Sequence, residues 1–325
     1  MKEEPRLEGT FTAMLQLEVA PGISFVEGER RGRFPFGNVV VLQGRAQRVL
    51  VDTGAGDGIL DAVMAGGPFD VVINSHYHID HVRGNGRVPA PVFWCPAGEA
   101  DAFTSEEGFL RFTGLDLPGL DIAKVFRQGL GWTPTPISRE LADGEVLDFG
   151  GLEAAVLRLP GHTPGHTGLW FPAERVIFSA DIDLASFGPW YGDVYASVDD
   201  YLASLRRLDA LVDEASGGGR HRITILTSHR RPLSYESFKE RLPGFTARFG
   251  EREERILGLL TAEGPLTLDE LAARWPIYGP LAPKLPGIWK SEYLMLRHHL
   301  DRLATSGRVV AEGVQLGGKD LWRAL

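Results

Sequence analysis

Cysteine is almost absent from this sequence, since 325 residues contain only Cys95. A single thiol cannot form an internal disulfide, and it excludes a metal site built from several thiolates. Cys95 stands in the strand-like segment 91–96, where we expect a buried packing residue. Low cysteine usage fits a reducing compartment, and no apolar stretch with small cleavage residues follows the acidic start at residues 1–5. The sequence therefore predicts a cytoplasmic protein.

Long apolar runs and an excess of basic residues are also missing. No run approaches the roughly 20 apolar residues that a membrane helix requires, so we expect no membrane span. The 40 glycines and 21 prolines show no Gly-X-Y period, and together they stay below the roughly 25–30% typical of low-complexity chains. The formal net charge is -9. These features exclude collagen-like and disordered chains and indicate a globular protein long enough for two cores.

Short apolar segments separated by turn residues predict mainly β-structure before residue 250. Alternating apolar and polar positions over the first 50 residues, including residues 11–19, indicate a meander of strands. Residues 97–140 carry few clear signals. Further strands are expected at 70–73, 91–94, 144–148, 152–159, 175–179 and 223–227, and a helix at 198–212. This interleaving of strands and helices predicts a mixed α/β fold.

A helix-rich block follows near residue 250. Helices are expected at 251–260, at 266–274 with Thr267 as N-cap, and at 291–306. Two short strands at 307–313 and 319–324, joined by a glycine turn, complete the block. Three helices followed by a β-hairpin is the order of a winged helix. We therefore predict two domains, residues 1–250 and a smaller winged-helix-like domain at 251–325.

The strongest chemical signal follows the strand at 70–73. It reads Ser75-His76-Tyr77-His78-Ile79-Asp80-His81. Side chains two apart on extended backbone point the same way, so one metal ion can take both His76 and His78. Asp80 and His81 lie just beyond, where the chain turns and can face a second ion. The spacing therefore predicts a metal site.

Three more residues with metal-binding side chains stand singly at the ends of predicted strands. His162 lies in Pro160-Gly-His-Thr-Pro-Gly-His166, where glycine and proline favour a tight loop. Asp181 follows the strand near 175–179, and His229 follows the strand at 223–227. Each residue alone is a weak signal, but together with the first cluster they complete a site for two ions.

This order of residues resembles the metallo-β-lactamase-fold hydrolases over about residues 10–245. The resemblance implies an αββα sandwich with the metals at one edge between two sheets. It implies that His76, His78 and His162 hold one ion, that Asp80, His81 and His229 hold the other, and that Asp181 bridges them. Imidazole and carboxylate suit zinc, iron and manganese alike, and zinc is the expected metal of the two divalent ions.

Two more residues acquire supporting roles from the same resemblance. The segment Val51-Asp52-Thr53-Gly54 fits the family's turn beneath the metal loop, where Asp52 would support a ligand. An aspartic protease would need two such Asp-Thr-Gly triplets, and the chain has one. His166 matches no ligand position, so we expect it to make a hydrogen bond beside the metals instead of binding one.

The expected chemistry is hydrolysis. Two divalent ions about 3.5–4 Å apart lower the pKa of a shared water toward neutrality, and the resulting hydroxide attacks a carbonyl or phosphorus atom. Asp80 or Asp181 would orient the nucleophile or pass a proton to the departing atom. True zinc β-lactamases usually carry another residue at the place of His81, and acyl-homoserine lactonases have a catalytic tyrosine where this chain has Asp183 and Leu184. Neither activity is favoured.

Four residues are candidates for substrate contacts. Trp190 and Tyr191 follow a ligand-bearing strand and would line an acyl or base pocket, or else cap the core. Arg230 and Arg231 come directly after His229 and would clamp a carboxylate or phosphate, or else remain solvated.

The leading hypothesis is a dinuclear hydrolase of a small thioester or ester, as in hydroxyacylglutathione hydrolase-like relatives. The alternatives are a ribonuclease or phosphodiesterase, a mononuclear iron persulfide dioxygenase, and a winged-helix nucleic-acid-binding regulator with a vestigial enzyme domain. The block 251–325 resembles the helical extension of thioesterase-like and ribonuclease-like members. It carries ten basic and ten acidic residues, whereas a duplex binder usually shows a basic footprint. We therefore expect it to shape the active site or form a homodimer contact, and nucleic acid is not favoured.

Overall fold

Two β-sheets stack face to face in the computed structural model, which describes residues 16–90, 92–116, 131–280, 286–312 and 320–325. The first sheet has seven strands in sequential order: β1 (Gln16–Ala20), β2 (Ile23–Val26), β3 (Val39–Gln43), β4 (Arg48–Val51), β5 (Val71–Ile73), β6 (Val92–Pro96) and β7 (Ile137–Leu141). The second has five strands in the order β12 (Thr224–Leu226), β11 (Val176–Phe178), β10 (Thr167–Phe171), β9 (Glu153–Arg158) and β8 (Val146–Asp148).

Strand direction determines where the loops meet. β1 to β4 pair antiparallel as a meander, whereas β4 to β7 pair parallel. In the second sheet β8 to β11 are antiparallel and β12 joins β11 in parallel. Parallel neighbours end at the same edge of a sheet, so the loops after β4 and β5 are adjacent, as are those after β11 and β12.

The main core lies between the two sheets. Along β3, Val40 and Leu42 face the second sheet, while Val39 and Val41 face the helix Asp57–Met64 on the outer side. This alternation follows from the two-residue period of a strand that is covered on both faces. Helix Val198–Ser216 covers the outer face of the second sheet. The order of layers is therefore helix, sheet, sheet, helix, and the predicted αββα fold class is confirmed.

Two outer helices lie in a stretch that carries few signals in the sequence. Ala100–Thr104 and Glu106–Thr113 pack with buried Cys95 against the first sheet. The second helix begins at the N-cap Ser105, whose hydroxyl accepts a hydrogen bond from the Gly108 amide, and ends at left-handed Gly114. The short helix Ile79–Val82 belongs to the loop after β5. Cys95 is thus the buried packing residue that we expected.

Three helices and a small sheet form the C-terminal part. The helices are Tyr235–Glu263, Leu268–Ala272 and Pro286–Thr305, and the sheet has the order β13 (Leu266–Thr267), β15 (Leu321–Ala324), β14 (Val309–Glu312). Thr267 and Glu270 form a capping box, which confirms the predicted N-cap. Helix Tyr235–Glu263 runs through residue 250, and one continuous core joins the outer face of the second sheet to all three helices. The domain boundary and the winged-helix assignment stay predictions.

Parts of four predicted features lie outside the described residues. They are residues 11–15 of the first predicted strand, residue 91 of the strand predicted at 91–94, residues 281–285 between the last two helices, and residues 313–319, which contain the predicted glycine turn and the adjoining ends of its two strands. Within the described ranges, no helix combines the length and apolar character needed to cross a membrane.

Candidate metal centre

The loops that carry the predicted ligands meet at one edge of the stacked sheets. Residues 75–81 follow β5, residues 160–166 follow β9, Asp181 follows β11 and His229 follows β12. The donor atoms form two groups, and within each group they lie within 4.8 Å of one another. The first group is His76, His78, His162 and Asp181, and the second is Asp80, His81 and His229. The structure therefore brings all seven predicted ligands together.

A turn after β4 supports the loop that carries four of these residues. Thr53 donates its amide hydrogen to the His81 carbonyl at 2.7 Å. Asp52 has a left-handed φ of 62°, which turns the chain toward that loop. At Gly54 a Cβ atom would lie 1.5 Å from the Asp80 carbonyl oxygen. Only glycine permits so close an approach, which explains the Asp-Thr-Gly sequence of this turn.

In the first group, three histidine nitrogens and a carboxylate face a common point. His76 Nε2 is 3.0 Å from His78 Nδ1 and 3.2 Å from His162 Nε2. His162 Nε2 is 3.2 Å from Asp181 Oδ2. Ligands about 2.0–2.1 Å from a tetrahedral zinc ion lie about 3.3 Å apart. These separations fit a single ion with four ligands.

In the second group, Asp181 again contributes. Its Oδ1 is 3.0 Å from His81 Nε2, and its Oδ2 is 3.3 Å from His229 Nε2. Asp80 Oδ2 lies 3.5 Å from the same His229 nitrogen. The carboxylate of Asp181 therefore stands between the two groups, in the position expected of a bridging ligand.

Each of the five histidines has its other ring nitrogen held by the protein. Such contacts fix the tautomer and the ring orientation of metal-binding histidines. The partners are Ser75 Oγ for His76 (3.0 Å), Asp193 Oδ2 for His78 (2.7 Å), Asp52 Oδ2 for His81 (2.8 Å), the Trp190 carbonyl for His162 (2.8 Å) and the Gly32 carbonyl for His229 (2.6 Å). The nitrogen that points into the cluster is thus the one available to a ligand-binding lone pair.

The electrostatics of the cluster favour an added positive charge. Burial alone would lower the pKa of His81, but the carboxylates of Asp181 and Asp52 raise it well above its usual value. Burial likewise opposes protonation of His229, yet Asp181 and Asp80 raise its pKa to about 10. In contrast, burial and the neighbouring histidines hold the pKa of His76 well below its usual value, which keeps this ring neutral. The carboxylates thus stabilise positive charge beside His81 and His229, and a divalent ion would supply this charge in place of the protons on these two rings.

Two buried atoms lack hydrogen-bond partners at the centre of the cluster. His81 Nε2 and Asp181 Oδ1 lie 3.0 Å apart, yet neither makes a hydrogen bond. Unpartnered buried polar atoms are costly unless something else satisfies them. A divalent ion would satisfy both, so the residues present fit a metal centre.

The two predicted supporting residues lie beside the cluster. Asp52 accepts hydrogen bonds from the amide and the hydroxyl of Ser75, both at 2.7 Å, in addition to its contact with His81. His166 donates from Nδ1 to the Leu159 carbonyl and accepts at Nε2 from the Asp181 amide at 3.1 Å. Burial lowers the pKa of His166 to about 3. His166 therefore orients Asp181 through its backbone and belongs to neither ligand group.

Asp193, which is 1% exposed, carries no sequence motif and is not among the predicted site residues. Its Oδ2 accepts hydrogen bonds from His78 Nε2 at 2.7 Å and from the Tyr77 hydroxyl at 2.9 Å. Its Oδ1 pairs with Lys290 Nζ at 2.7 Å. Burial would raise the pKa of Asp193, but Lys290 and His78 hold it well below its usual value. A lysine 97 residues away in sequence thus reaches a predicted metal ligand through one carboxylate.

Glu99 is a second buried carboxylate beside the site that is not among the predicted residues. Its Oε1 accepts hydrogen bonds from the Gly165 amide at 2.7 Å and from the Thr163 hydroxyl. Burial raises the pKa of Glu99 to about 7. Glu99 therefore holds the loop that carries His162 and His166. It lies in the stretch 97–140, where no sequence pattern marks it.

The predicted substrate residues separate into two kinds. The Trp190 ring lies against the cluster, with its centroid 5.0 Å from that of His78 and 5.5 Å from that of His162. Tyr191 is fully buried, and its hydroxyl contacts His299 at 2.6 Å and Arg252 at 2.9 Å. The position of Tyr191 therefore does not support a substrate contact, because the side chain is enclosed by C-terminal residues. Aromatic residues that are adjacent in a loop point to different sides.

Arg230 and Arg231 follow His229 directly and lie beside the metal centre. Together with His229 they line a cavity of about 830 Å³. Arg231 also pairs with Glu27, with Nε 3.0 Å from Oε1.

Comparisons with known proteins agree with this geometry. An acyl-coenzyme A thioesterase of Gallus gallus is 26% identical over 195 residues, which cover 54% of this chain and 68% of that protein. A hydroxyacylglutathione hydrolase of Methylococcus capsulatus is 27% identical over 256 residues, which cover 75% of this chain and 85% of that protein. Among solved structures, a metallo-beta-lactamase family protein of Thermus thermophilus has a TM-score of 0.67 and 23% identity, covering 95% of this chain and 100% of that chain.

The family assignment rests on a match to a sequence model of a whole superfamily. The model of the metallo-beta-lactamase superfamily matches residues 32–216, more than half of the chain. This range contains six of the seven clustered ligand residues, and His229 follows it. The chain therefore belongs to the metallo-beta-lactamase superfamily and is a metal-dependent hydrolase.

Proposed function

We propose that this protein hydrolyses a small thioester with two divalent metal ions, zinc being the expected metal. The observation that carries the proposal is Asp181, whose carboxylate contacts both groups of ligand atoms. His76, His78 and His162 would hold the first ion, Asp80, His81 and His229 the second, and Asp181 both. A site for a single ion would not require a carboxylate that contacts two separate groups of ligand atoms.

The chemistry that such ions supply is a hydroxide nucleophile near neutral pH and polarisation of the acyl oxygen. In the proposed reaction, water adds to the acyl carbon, the carbon–sulfur bond breaks, and the products are a carboxylic acid and a thiol. Asp80 and Asp181 are the proposed catalytic residues, since their side chains are 8% and 10% exposed at the centre of the cluster. A carboxylate oxygen in this position orients water and carries its proton toward the departing sulfur.

Two observations support a thioester. The relatives from Methylococcus capsulatus and Gallus gallus bear names that denote cleavage of thioesters, of hydroxyacylglutathione and of acyl-coenzyme A. Trp190 gives the cluster an apolar, half-buried face beside His78 and His162, which suits a small acyl group.

We assign residues 251–325 to the same function, as a winged-helix-like region that shapes the site. Arg252 donates hydrogen bonds to the Pro189 and Phe187 carbonyls at 2.7 and 3.0 Å. Tyr278 accepts a hydrogen bond from the Trp190 indole at 2.9 Å. These contacts hold the loop whose Trp190 carbonyl orients His162.

The test measures metal content and substrate range together. Elemental mass spectrometry on protein purified without added metal or chelator is expected to give about two divalent ions per chain. A panel of thioesters, lactones, phosphodiesters and a persulfide is expected to show turnover of a thioester. About one iron per chain with sulfite as product would instead indicate the dioxygenase, and turnover of phosphodiesters alone would indicate the nuclease.

Two histidine-to-alanine variants, one in the cluster and one outside it, test the ligand assignment. His78→Ala is expected to lose metal and activity together. His221→Ala removes an exposed histidine outside both ligand groups and is expected to keep both. Retention of metal and activity by His78→Ala would refute the ligand assignment.

A further inference from the structure

The cavity beside His229 has an unusual charge. Its volume is about 830 Å³, and its lining includes the carboxylates Glu27 and Asp183. Five arginines also line it: Arg31, Arg33, Arg230, Arg231 and Arg241. The cavity therefore has an excess of positive charge, although the chain as a whole has a net charge of -9. A local reversal of sign of this kind concentrates anions.

Most of these arginines have no carboxylate partner. Arg231 pairs with Glu27 at 3.0 Å, whereas Asp183 accepts a hydrogen bond from the Ala185 amide at 2.9 Å. Among the residues that the structure describes, the other four arginines make no ion pair. The Nε atom of Arg230 is also buried and lacks a hydrogen-bond partner. Guanidinium donors left open around one cavity are suited to an anion that arrives from outside.

The turn that carries Arg31 has left-handed backbone conformations at residues other than glycine. Within the turn Glu29–Gly32, Arg30 and Arg31 have left-handed φ values of 52° and 62°. Residues other than glycine adopt this conformation only when surrounding structure holds them there, and such positions cluster at binding sites. The Gly32 carbonyl at the end of the turn accepts a hydrogen bond from His229 Nδ1 at 2.6 Å. The same turn therefore presents an arginine to the cavity and orients a predicted metal ligand.

Asn38 joins this turn to the second arginine-bearing segment. Its side-chain oxygen accepts from the Gly28 amide at 3.0 Å, and its amide group donates to the carbonyls of Thr227 and Arg230 at 3.1 and 2.9 Å. Asn38 is 1% exposed. The two walls of the cavity are thus held at a set distance from each other and from the metal centre.

We propose that this cavity binds the phosphate-bearing part of the substrate, so that the substrate is a thioester whose thiol carries phosphate groups. The proposal rests on the proposed thioesterase function. Four unpaired guanidinium groups match several phosphate charges better than the carboxylates of a small peptide thiol, because phosphate carries more charge per group and accepts the planar fork of arginine. The acyl carbon would then lie at the metal centre, with the thiol portion extending past His229.

The test compares two thioesters with the same acyl group. One is acetyl-coenzyme A, and the other is the acetyl thioester of N-acetylcysteamine, which has no phosphate. We compare the kcat/KM for acetyl-coenzyme A divided by the kcat/KM for the phosphate-free thioester. The double variant Arg33→Gln with Arg241→Gln is expected to lower this ratio by about tenfold or more, since each charged hydrogen bond is worth about a factor of ten. Arg206→Gln, an exposed arginine on helix Val198–Ser216, is expected to leave the ratio unchanged.

A binding measurement separates this proposal from the proposed function. Calorimetric titration with adenosine 3′,5′-bisphosphate, which has no thioester, is expected to show binding that the double variant weakens by about tenfold or more. Equal binding by wild type and double variant, or an unchanged kcat/KM ratio, would overturn the phosphate subsite. Arginine-dependent bisphosphate binding without any thioester turnover would overturn the thioesterase function and leave the anion site standing. Arginine-dependent cleavage of an RNA oligonucleotide without thioester turnover would overturn the assigned substrate class.

Discussion

Asp193 is the carboxylate through which the last helix reaches a predicted metal ligand. It accepts hydrogen bonds from His78 and Tyr77 and pairs with Lys290; the contacts with Tyr77 and Lys290 are buried, and that with His78 is partly buried. In Asp193→Asn the shape is kept, but the negative charge is lost, and one side-chain oxygen must replace two. His78 then loses the charged acceptor that orients its ring.

Asp193→Asn is expected to lower both metal affinity, through His78, and stability, through Lys290. Changing the outer partner of a metal-binding histidine typically lowers metal affinity about 10–100-fold, which corresponds to about 1.4–2.7 kcal/mol. Separately, the Lys290 side chain is 6% exposed, and its remaining partner is the uncharged Thr113 carbonyl, 2.8 Å from Nζ, so loss of the opposite charge costs up to about 3–5 kcal/mol of stability. The double variant Asp193→Asn with Lys290→Met removes that second cost while leaving the first.

The assay is a double-mutant cycle with two readouts. Competition with a chromophoric chelator measures metal affinity, and urea unfolding in excess chelator measures stability without metal. We expect the double variant to regain stability relative to Asp193→Asn but to remain impaired in metal affinity. Asp209→Asn, which breaks the half-exposed pair with Lys239, is the matched control and should alter neither readout by much. Metal affinity of Asp193→Asn within about twofold of wild type would refute the role of Asp193 in orienting His78.

Three further predictions concern other contacts. Burial raises the pKa of Glu99 from an ordinary 4.5 to about 7, so its contribution to stability is present below pH 4.5 and is lost as pH rises through 7. The free energy of unfolding of metal-free Glu99→Gln should therefore gain about 3 kcal/mol relative to wild type between pH 4 and 8. Parallel pH profiles of the two proteins would contradict this. Gly54→Ala should destabilise the protein by more than about 2 kcal/mol. Gly258→Ala is the control, because no atom from outside its own helix lies within 4 Å of the new Cβ, and it should stabilise the protein by about 0.5–1 kcal/mol. Equal effects in thermal unfolding would show that the close approach of Gly54 to the Asp80 carbonyl is unimportant. Arg252→Met leaves the buried Pro189 carbonyl without this donor, at about 1–3 kcal/mol, and also removes the donor to the partly buried Phe187 carbonyl. The variant should also raise KM because the loop at Trp190 loosens. A stable variant with unchanged steady-state kinetics would contradict the anchoring role.

The candidate ligands could be predicted because their signal is local. His76, His78, Asp80 and His81 lie within one loop, so their spacing alone indicates that they can share a site. The single residues His162, Asp181 and His229 could be added because each follows an apolar strand, and strand ends meet at the edge of a sheet. A family resemblance then supplied their pairing into two groups.

The residues that orient these ligands could not be predicted in the same way. Asp193 and Glu99 carry no motif, and their partners lie far away in sequence, as Lys290 lies from Asp193. Their importance depends on burial, which makes a carboxylate effective as a hydrogen-bond acceptor but leaves no periodic pattern. The same holds for Tyr191, because neither its spacing nor its type distinguishes a core contact from a substrate contact.

Packing also overrode a local signal near residue 250. Pro243 disfavours a helix interior, and the first helix predicted for the C-terminal block begins at residue 251. The structure has one helix, Tyr235–Glu263, that contains Pro243. Phe245 and Phe249, on the turns after the proline, are buried in the core shared with the second sheet, and their burial compensates for the lost backbone hydrogen bond.

The contacts of the loop 187–193 connect the C-terminal residues to the metal site. On one side, this loop orients His162 through the Trp190 carbonyl and His78 through the Asp193 side chain. On the other side, it is held by Arg252, Lys290 and the His298 ring, which contacts the Asp193 carbonyl at 2.7 Å. Since two ligands of the first group depend on this loop, the residues after 250 act on the geometry of the cluster without touching it. A region placed in this way can alter metal binding and substrate preference while the catalytic loops remain unchanged.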